Sequence, residues 1–135
     1  MTLYEAIARL EDDNVHEIIL EPDQLLEWLT ELKTYIELQK KLGAIAYHYG
    51  FTSQANMLME EAAEFTVALN KLRRGSQEEY NNIKEELADV LVVAQQLRLL
   101  LGPEDIDKII NEKVERQLNR INEERTNMFS ADSLS

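Results

Sequence analysis

The chain has 135 residues and a net charge of −12, from 26 acidic against 14 basic side chains, and it contains no cysteine. It is long enough for one domain that buries about two-thirds of its unfolded surface. Its 44% hydrophobic content argues against disorder. The acidic balance excludes a surface that tracks a nucleic acid polymer, which needs clustered positive charge, and the lack of cysteine excludes disulfides, thiolate metal sites and cysteine nucleophiles. No apolar run approaches the ~20 residues that span a bilayer, and the opening MTLYEAIARLEDD has neither the basic nor the apolar region of a signal peptide. The expectation is a cytoplasmic protein with no membrane partner.

Four glycines and two prolines punctuate the chain, and no stretch alternates β-branched with polar residues, so the fold class is all-α. Thr2 with Glu5 forms a capping box for a short first helix through Leu10. The segment 11–20 takes no assignment. Pro22 suits the first turn of a second helix, in which Leu25, Trp28, Leu29, Leu32 and Ile36 keep helical spacing until Leu42-Gly43. A short apolar piece, AIAYHY, leads to Gly50. Thr52 or Ser53 then caps a helix over about 53–73, Gly75 takes the C′ position, and Ser76 with Glu79 reads as a capping box for a helix over about 76–101. Gly102 stops that helix and Pro103 opens the last one, which fades near Arg125 into a frayed tail. The expected architecture is a helical bundle around an antiparallel hairpin (53–73 and 76–101), with a C-terminal helix over 103–125. The domain reading is an N-terminal helical extension at 1–45, a helical core at 46–126 and a tail at 127–135.

The two central helices carry the informative pattern. At 100° per residue, with Leu58 at zero, Ala62, Phe65, Leu69 and Leu72 form an apolar stripe within about 40°, and Glu61 and Glu64 fall at about 300° and about 240°. With Ile83 at zero in the next helix, Leu87, Val90, Ala94 and Leu97 form the stripe, and Glu86 and Asp89 again fall at about 300° and about 240°. A short turn makes the two helices antiparallel, and equal angular offsets then put both acidic pairs on one side of the hairpin. The heights agree, since Glu61 and Glu64 lie about 10 to 14 residues before the turn and Glu86 and Asp89 about 11 to 15 after it. Four carboxylates are expected to converge.

Clustered carboxylates repel one another and persist where a cation compensates them. An all-oxygen donor set without His or Cys fits a hard divalent ion, Mg²⁺ or Mn²⁺, which keeps positions for water and phosphate oxygens. The chemistry served by such a site is phosphoryl or nucleotidyl transfer. A solvated acidic face is the competing reading, and the chain shows how such faces arise. Glu104/Asp107 sit in a helical first turn, where the dipole favours acids, and Glu112/Glu115 fall opposite their helix's apolar stripe.

The string Glu60-Glu61-Ala62-Ala63-Glu64, followed after 21 residues by Glu86-Leu87-Ala88-Asp89, resembles the EExxE…ExxD signature of the all-α nucleoside triphosphate pyrophosphohydrolases, the MazG-like superfamily. The resemblance covers about 50–121. It implies cleavage of a (d)NTP, a small-molecule substrate, to (d)NMP and pyrophosphate with Mg²⁺, for which Mn²⁺ can substitute. It implies Glu61, Glu64, Glu86 and Asp89 as metal ligands. Glu60, the candidate catalytic group, lies farther round the helix, where it either orients a water or is simply solvated.

In the last helix Lys113, Arg116 and Arg120 form a basic column beside the apolar stripe that suits either substrate phosphates or salt bridges to acidic neighbours, and Lys71 is a second phosphate candidate. Gln54, seven residues before Glu61 and so in its column, suits a base or sugar contact or a polar first turn. A ferritin-like di-metal site needs paired Glu-x-x-His, and Asp13-x-x-His16 stands alone. The alternative from another class is a non-catalytic acidic helical bundle, either an adaptor or an inactive relative. Val92, Val93, Leu99 and Leu100 lie outside the central stripe, so a homodimer or homotetramer is expected to cover them.

Overall fold

A computed structural model describes residues 2–12 and 18–132, with backbone alone at residue 79 and over 129–132. Asp13 and His16 therefore fall outside the described residues. The helices are α1 (Leu3–Leu10), α2 (Pro22–Arg73), α3 (Glu79–Leu101) and α4 (Pro103–Asp132), with no strand among the described residues. None of them is long and apolar enough to cross a membrane. The chain divides into two compact units, Met1–Lys41 and Leu42–Ser135.

In the first unit the capping box forms as expected. The Thr2 hydroxyl accepts from the Glu5 amide, and the Glu5 carboxylate accepts from the Thr2 amide at 2.8 Å. The hydrogen bond from the Thr2 amide, and then that from the Thr2 side chain, hold the Glu5 carboxyl below its ordinary range. Among the described residues of this unit, Ala6 and Trp28 are the buried apolar ones.

In the second unit the hairpin turn is set by Gly75. It takes φ 97, donates its amide to Leu72, and is followed by Ser76, whose amide reaches Lys71; this pair of bonds is a Schellman ending. Gly50 interrupts α2 with φ 78 and ψ 171, a backbone region essentially reserved for glycine. Gly102, with φ 102, ends α3 directly before Pro103. The Arg98 guanidinium grips both carboxylate oxygens of Asp107, its Nε lying 2.6 Å from Oδ1, and so ties α3 to α4 across that break.

Several local expectations are corrected. Gly43 does not end a helix: α2 continues through it, and a Cβ there would only touch Leu99 at 3.8 Å. One helical glycine costs about 1 kcal/mol in propensity, which packing readily offsets. Thr52 and Ser53 lie inside the helix that resumes after Gly50. Ser76 does not cap α3, which starts at Glu79 after an N-cap, Glu78, that makes no side-chain bond; the Ser76 amide is already committed to the Schellman ending. Helix α4 runs on past Arg125 to Asp132.

The buried face is also rotated from the expected stripe. Of the expected stripe, Ala62, Leu69 and Leu87 are exposed and Leu97 is buried, while Gln54, Ala68, Val93 and Gln96 are buried outside it. On the helical wheels the contact face centres at about 300°, the angle of Glu61 and Glu86, rather than at zero. Small Ala68 permits close approach on that side. Leu58, Phe65 and Leu72 of the stripe are left half-buried.

Candidate metal centre

That rotation places acidic side chains in the middle of the hairpin's contact face. Carboxylate oxygens of Glu61, Glu86 and Asp89 lie within 4.8 Å of one another. Glu61 and Glu86 are partly buried and Asp89 is exposed. The register explains the meeting: Glu61 and Asp89 each stand 14 residues from Gly75, and Glu64 and Glu86 each stand 11. In an antiparallel pair, equal distances from the turn mean equal heights. Partial burial pushes the Glu61 carboxyl above its ordinary range, and the charges of Asp89, Glu64, Glu86 and Glu60 add to the push. Within the described residues, then, negative charge gathers around the partly desolvated Glu61.

Four converging carboxylates were expected, and the tight group holds three. Glu64 is exposed one turn along from Glu61. It borders a hollow of about 330 Å³ with Glu86, Lys71 and Asn82. A second hollow, of about 350 Å³, opens on the other side of the cluster and is bordered by Glu61, Gln54, Gln96, Met57 and Val93. Glu60 is exposed, outside the group and outside both hollows.

Of the four basic candidates, Lys71 alone borders a hollow beside the carboxylates. Lys113, Arg116 and Arg120 are exposed on α4, and Arg116 shares a shallow groove with Glu112 and Glu115 of its own helix. Angle within one helix does not say which neighbour the helix presents these side chains to. Gln96 was missed altogether. A signal for it existed: it follows Asp89 by seven residues, as Gln54 precedes Glu61 by seven.

Three clustered oxygen donors with no imidazole or thiolate among them, one carrying a raised pKa, suit a hard divalent cation such as Mg²⁺ or Mn²⁺. No curated protein and no solved structure matches the chain. The profile of the MazG nucleotide pyrophosphohydrolase domain matches residues 50–125, the stretch that contains the whole hairpin, both hollows' acidic residues and most of α4. A match over more than half of the sequence, spanning the two helices that carry the carboxylates, makes this chain a member of the MazG nucleotide pyrophosphohydrolase family.

Proposed function

We propose that the protein hydrolyses nucleoside triphosphates to nucleoside monophosphate and pyrophosphate with Mg²⁺ or Mn²⁺, and so serves nucleotide-pool house-cleaning. The observation that carries this reading is the carboxylate group of Glu61, Glu86 and Asp89 within 4.8 Å, in a member of a nucleotide pyrophosphohydrolase family. In the reaction a water oxygen bonds to the α-phosphorus, the α–β bridging bond breaks, pyrophosphate leaves, and the water's proton passes to solvent. When bound, the cation neutralises triphosphate charge and lowers the pKa of the attacking water.

The chain's own groups divide the remaining work. Glu61, Glu86 and Asp89 hold the cation, and Glu64 extends the donor set toward the hollow it shares with Glu86. Lys71, at the far end of that hollow, donates to the phosphate oxygens of the leaving pyrophosphate. The α4 column of Lys113, Arg116 and Arg120 lies outside both hollows of its own chain, so its contact with a bound triphosphate is made at a second copy's site. A homodimer, or a tetramer of dimers, is the proposed assembly. Helix α4 leaves Ile110, Val114 and Leu118 nearly half exposed, in one column, and an apolar helix face this open is covered by a second copy. Light scattering that finds a monomer at micromolar concentration would count against it.

The activity is tested by measuring pyrophosphate release from a panel of ribo- and deoxynucleoside triphosphates, with Mg²⁺ and with EDTA. Release that requires Mg²⁺ supports the reading. No release from any nucleotide leaves the non-catalytic acidic bundle in its place.

A further inference from the structure

The hollow bordered by Glu61 has a feature that metal binding does not use. Gln54 is 5% exposed and its Oε1 has no hydrogen-bond partner among the described residues. Gln96 is 4% exposed and borders the same hollow. A buried carboxamide oxygen without a donor is a costly thing to keep, and Leu or Met would fill the same volume without that cost.

Both amides follow the register of the carboxylates. Gln54 and Gln96 each stand 21 residues from Gly75, and Met57 and Val93 each stand 18. Moving away from the turn, the hairpin therefore presents a carboxylate layer, then apolar walls, then a pair of buried carboxamides. Gln54 lies two turns, about 10 Å, from Glu61 along one helix. This is the order of parts in a nucleotide: phosphates, sugar, then a flat base with a hydrogen-bonding edge. Tyr49 adds an aromatic face at the rim of the hollow.

We infer that the hollow bordered by Gln54 and Gln96 receives the nucleobase, and that the Gln54 carboxamide, accepting an N–H from the base's pairing edge, sets which base is accepted. The inference rests on the hydrolase reading of the neighbouring carboxylates and adds the specificity element to it. A carboxamide offers an acceptor and a donor side by side, which matches an edge carrying N–H beside an acceptor. Apolar walls accept the faces of any base, so discrimination falls to the amides.

The test is calorimetric binding, with Mg²⁺, of α,β-methylene nucleoside triphosphates carrying each base in ribo and deoxy form, and of inorganic triphosphate as the base-free probe. Wild type, Gln54→Met and Gln96→Met are compared. Wild type is expected to prefer one base, or one pair of bases, by about 10- to 100-fold. Gln54→Met is expected to level that preference, to leave inorganic triphosphate binding unchanged, and to melt no lower than wild type because Met needs no hydrogen-bond partner. Gln96→Met supplies the same comparison from the opposite helix if Gln54→Met fails to fold.

Retention of the wild-type order of affinities in both variants overturns the inference. So does a wild type that binds every base alike, or a Gln54→Met that alters ribo/deoxy preference instead of base preference. The two readings fail separately. Base-selective binding that Gln54→Met abolishes, in a protein that releases no pyrophosphate, keeps the base site and removes the hydrolase. Pyrophosphate release with an unaltered base order does the reverse.

Discussion

Glu61 and Asp89 stand 14 residues on either side of Gly75, and their carboxylate oxygens meet within 4.8 Å across the hairpin. The two helices meet along the side that carries Glu61, so these like charges are held close to each other instead of pointing apart. Such repulsion opposes folding until a cation offsets it.

Replacing Asp89 by Asn is therefore expected to raise the melting temperature of the protein in EDTA, because one negative charge leaves the group while size and helix are kept. With metal the order reverses. Wild type gains about 2.7 kcal/mol at a hundredfold excess of Mg²⁺ over Kd, and Asp89→Asn gains much less. A merely decorative acidic face predicts equal, small shifts in both proteins that NaCl reproduces at matched ionic strength.

The raised Glu61 carboxyl gives a pH dependence with a definite sign. A carboxyl whose folded pKa lies above its unfolded value binds its proton more tightly when folded, so its contribution to stability is full at low pH and is lost as pH rises through the folded pKa. In EDTA, wild type should lose stability relative to Glu61→Gln as pH rises from about 4 to about 7. Melting curves of both across that window check it; parallel curves would mean that Glu61 titrates as an ordinary exposed acid.

Asp107 shifts the other way. Its hydrogen bonds from Arg98 hold the carboxyl below its ordinary range, so the stability it contributes is present above the unfolded pKa and is lost as pH falls through the folded one. Arg98→Gln should melt lower than wild type at neutral pH, with the difference closing toward pH about 2. An unchanged melting temperature at neutral pH would show that the grip of α3 on α4 does not depend on this pair.

Lys71 is the one basic candidate beside the carboxylates within its own chain. A charge-assisted bond to phosphate is worth about 1.5–3 kcal/mol, so Lys71→Ala should lower kcat/KM by about 10- to 100-fold while leaving the melting temperature near that of wild type. Steady-state kinetics with the best substrate of the panel decides it.

Gly50→Ala tests the break in α2. A Cβ at this position meets nothing within 4 Å, so the change acts through the backbone alone. Holding Ala at φ 78 and ψ 171 costs about 1–3 kcal/mol. Urea unfolding that shows no loss would mean that the helix straightens through this point without penalty.

The features legible in the sequence are local ones. Thr2 with Glu5, Gly75 at its C′ position and Gly102-Pro103 each act within one turn of the chain, and each stands as read. The acidic spacing was legible too, since helical period and a short turn fix both angle and height. Depth was not legible. Gln54 reads equally as a base or sugar contact or a polar first-turn residue until α3 is laid against it, and nothing in α3 alone marks Gln96. Which angle of each helix faces the other depends on the sizes of Ala68, Val93 and their neighbours across the hairpin, information that no single helix contains. For the same reason the spacing of Lys113, Arg116 and Arg120 on α4 does not determine what they face.

The most direct test of the account is product analysis of nucleoside triphosphate hydrolysis with Mg²⁺ in water labelled with heavy oxygen. The account predicts nucleoside monophosphate and pyrophosphate, with the label in the monophosphate, and none of either product from Glu61→Gln. Nucleoside diphosphate with orthophosphate, or turnover undiminished in Glu61→Gln, would contradict it.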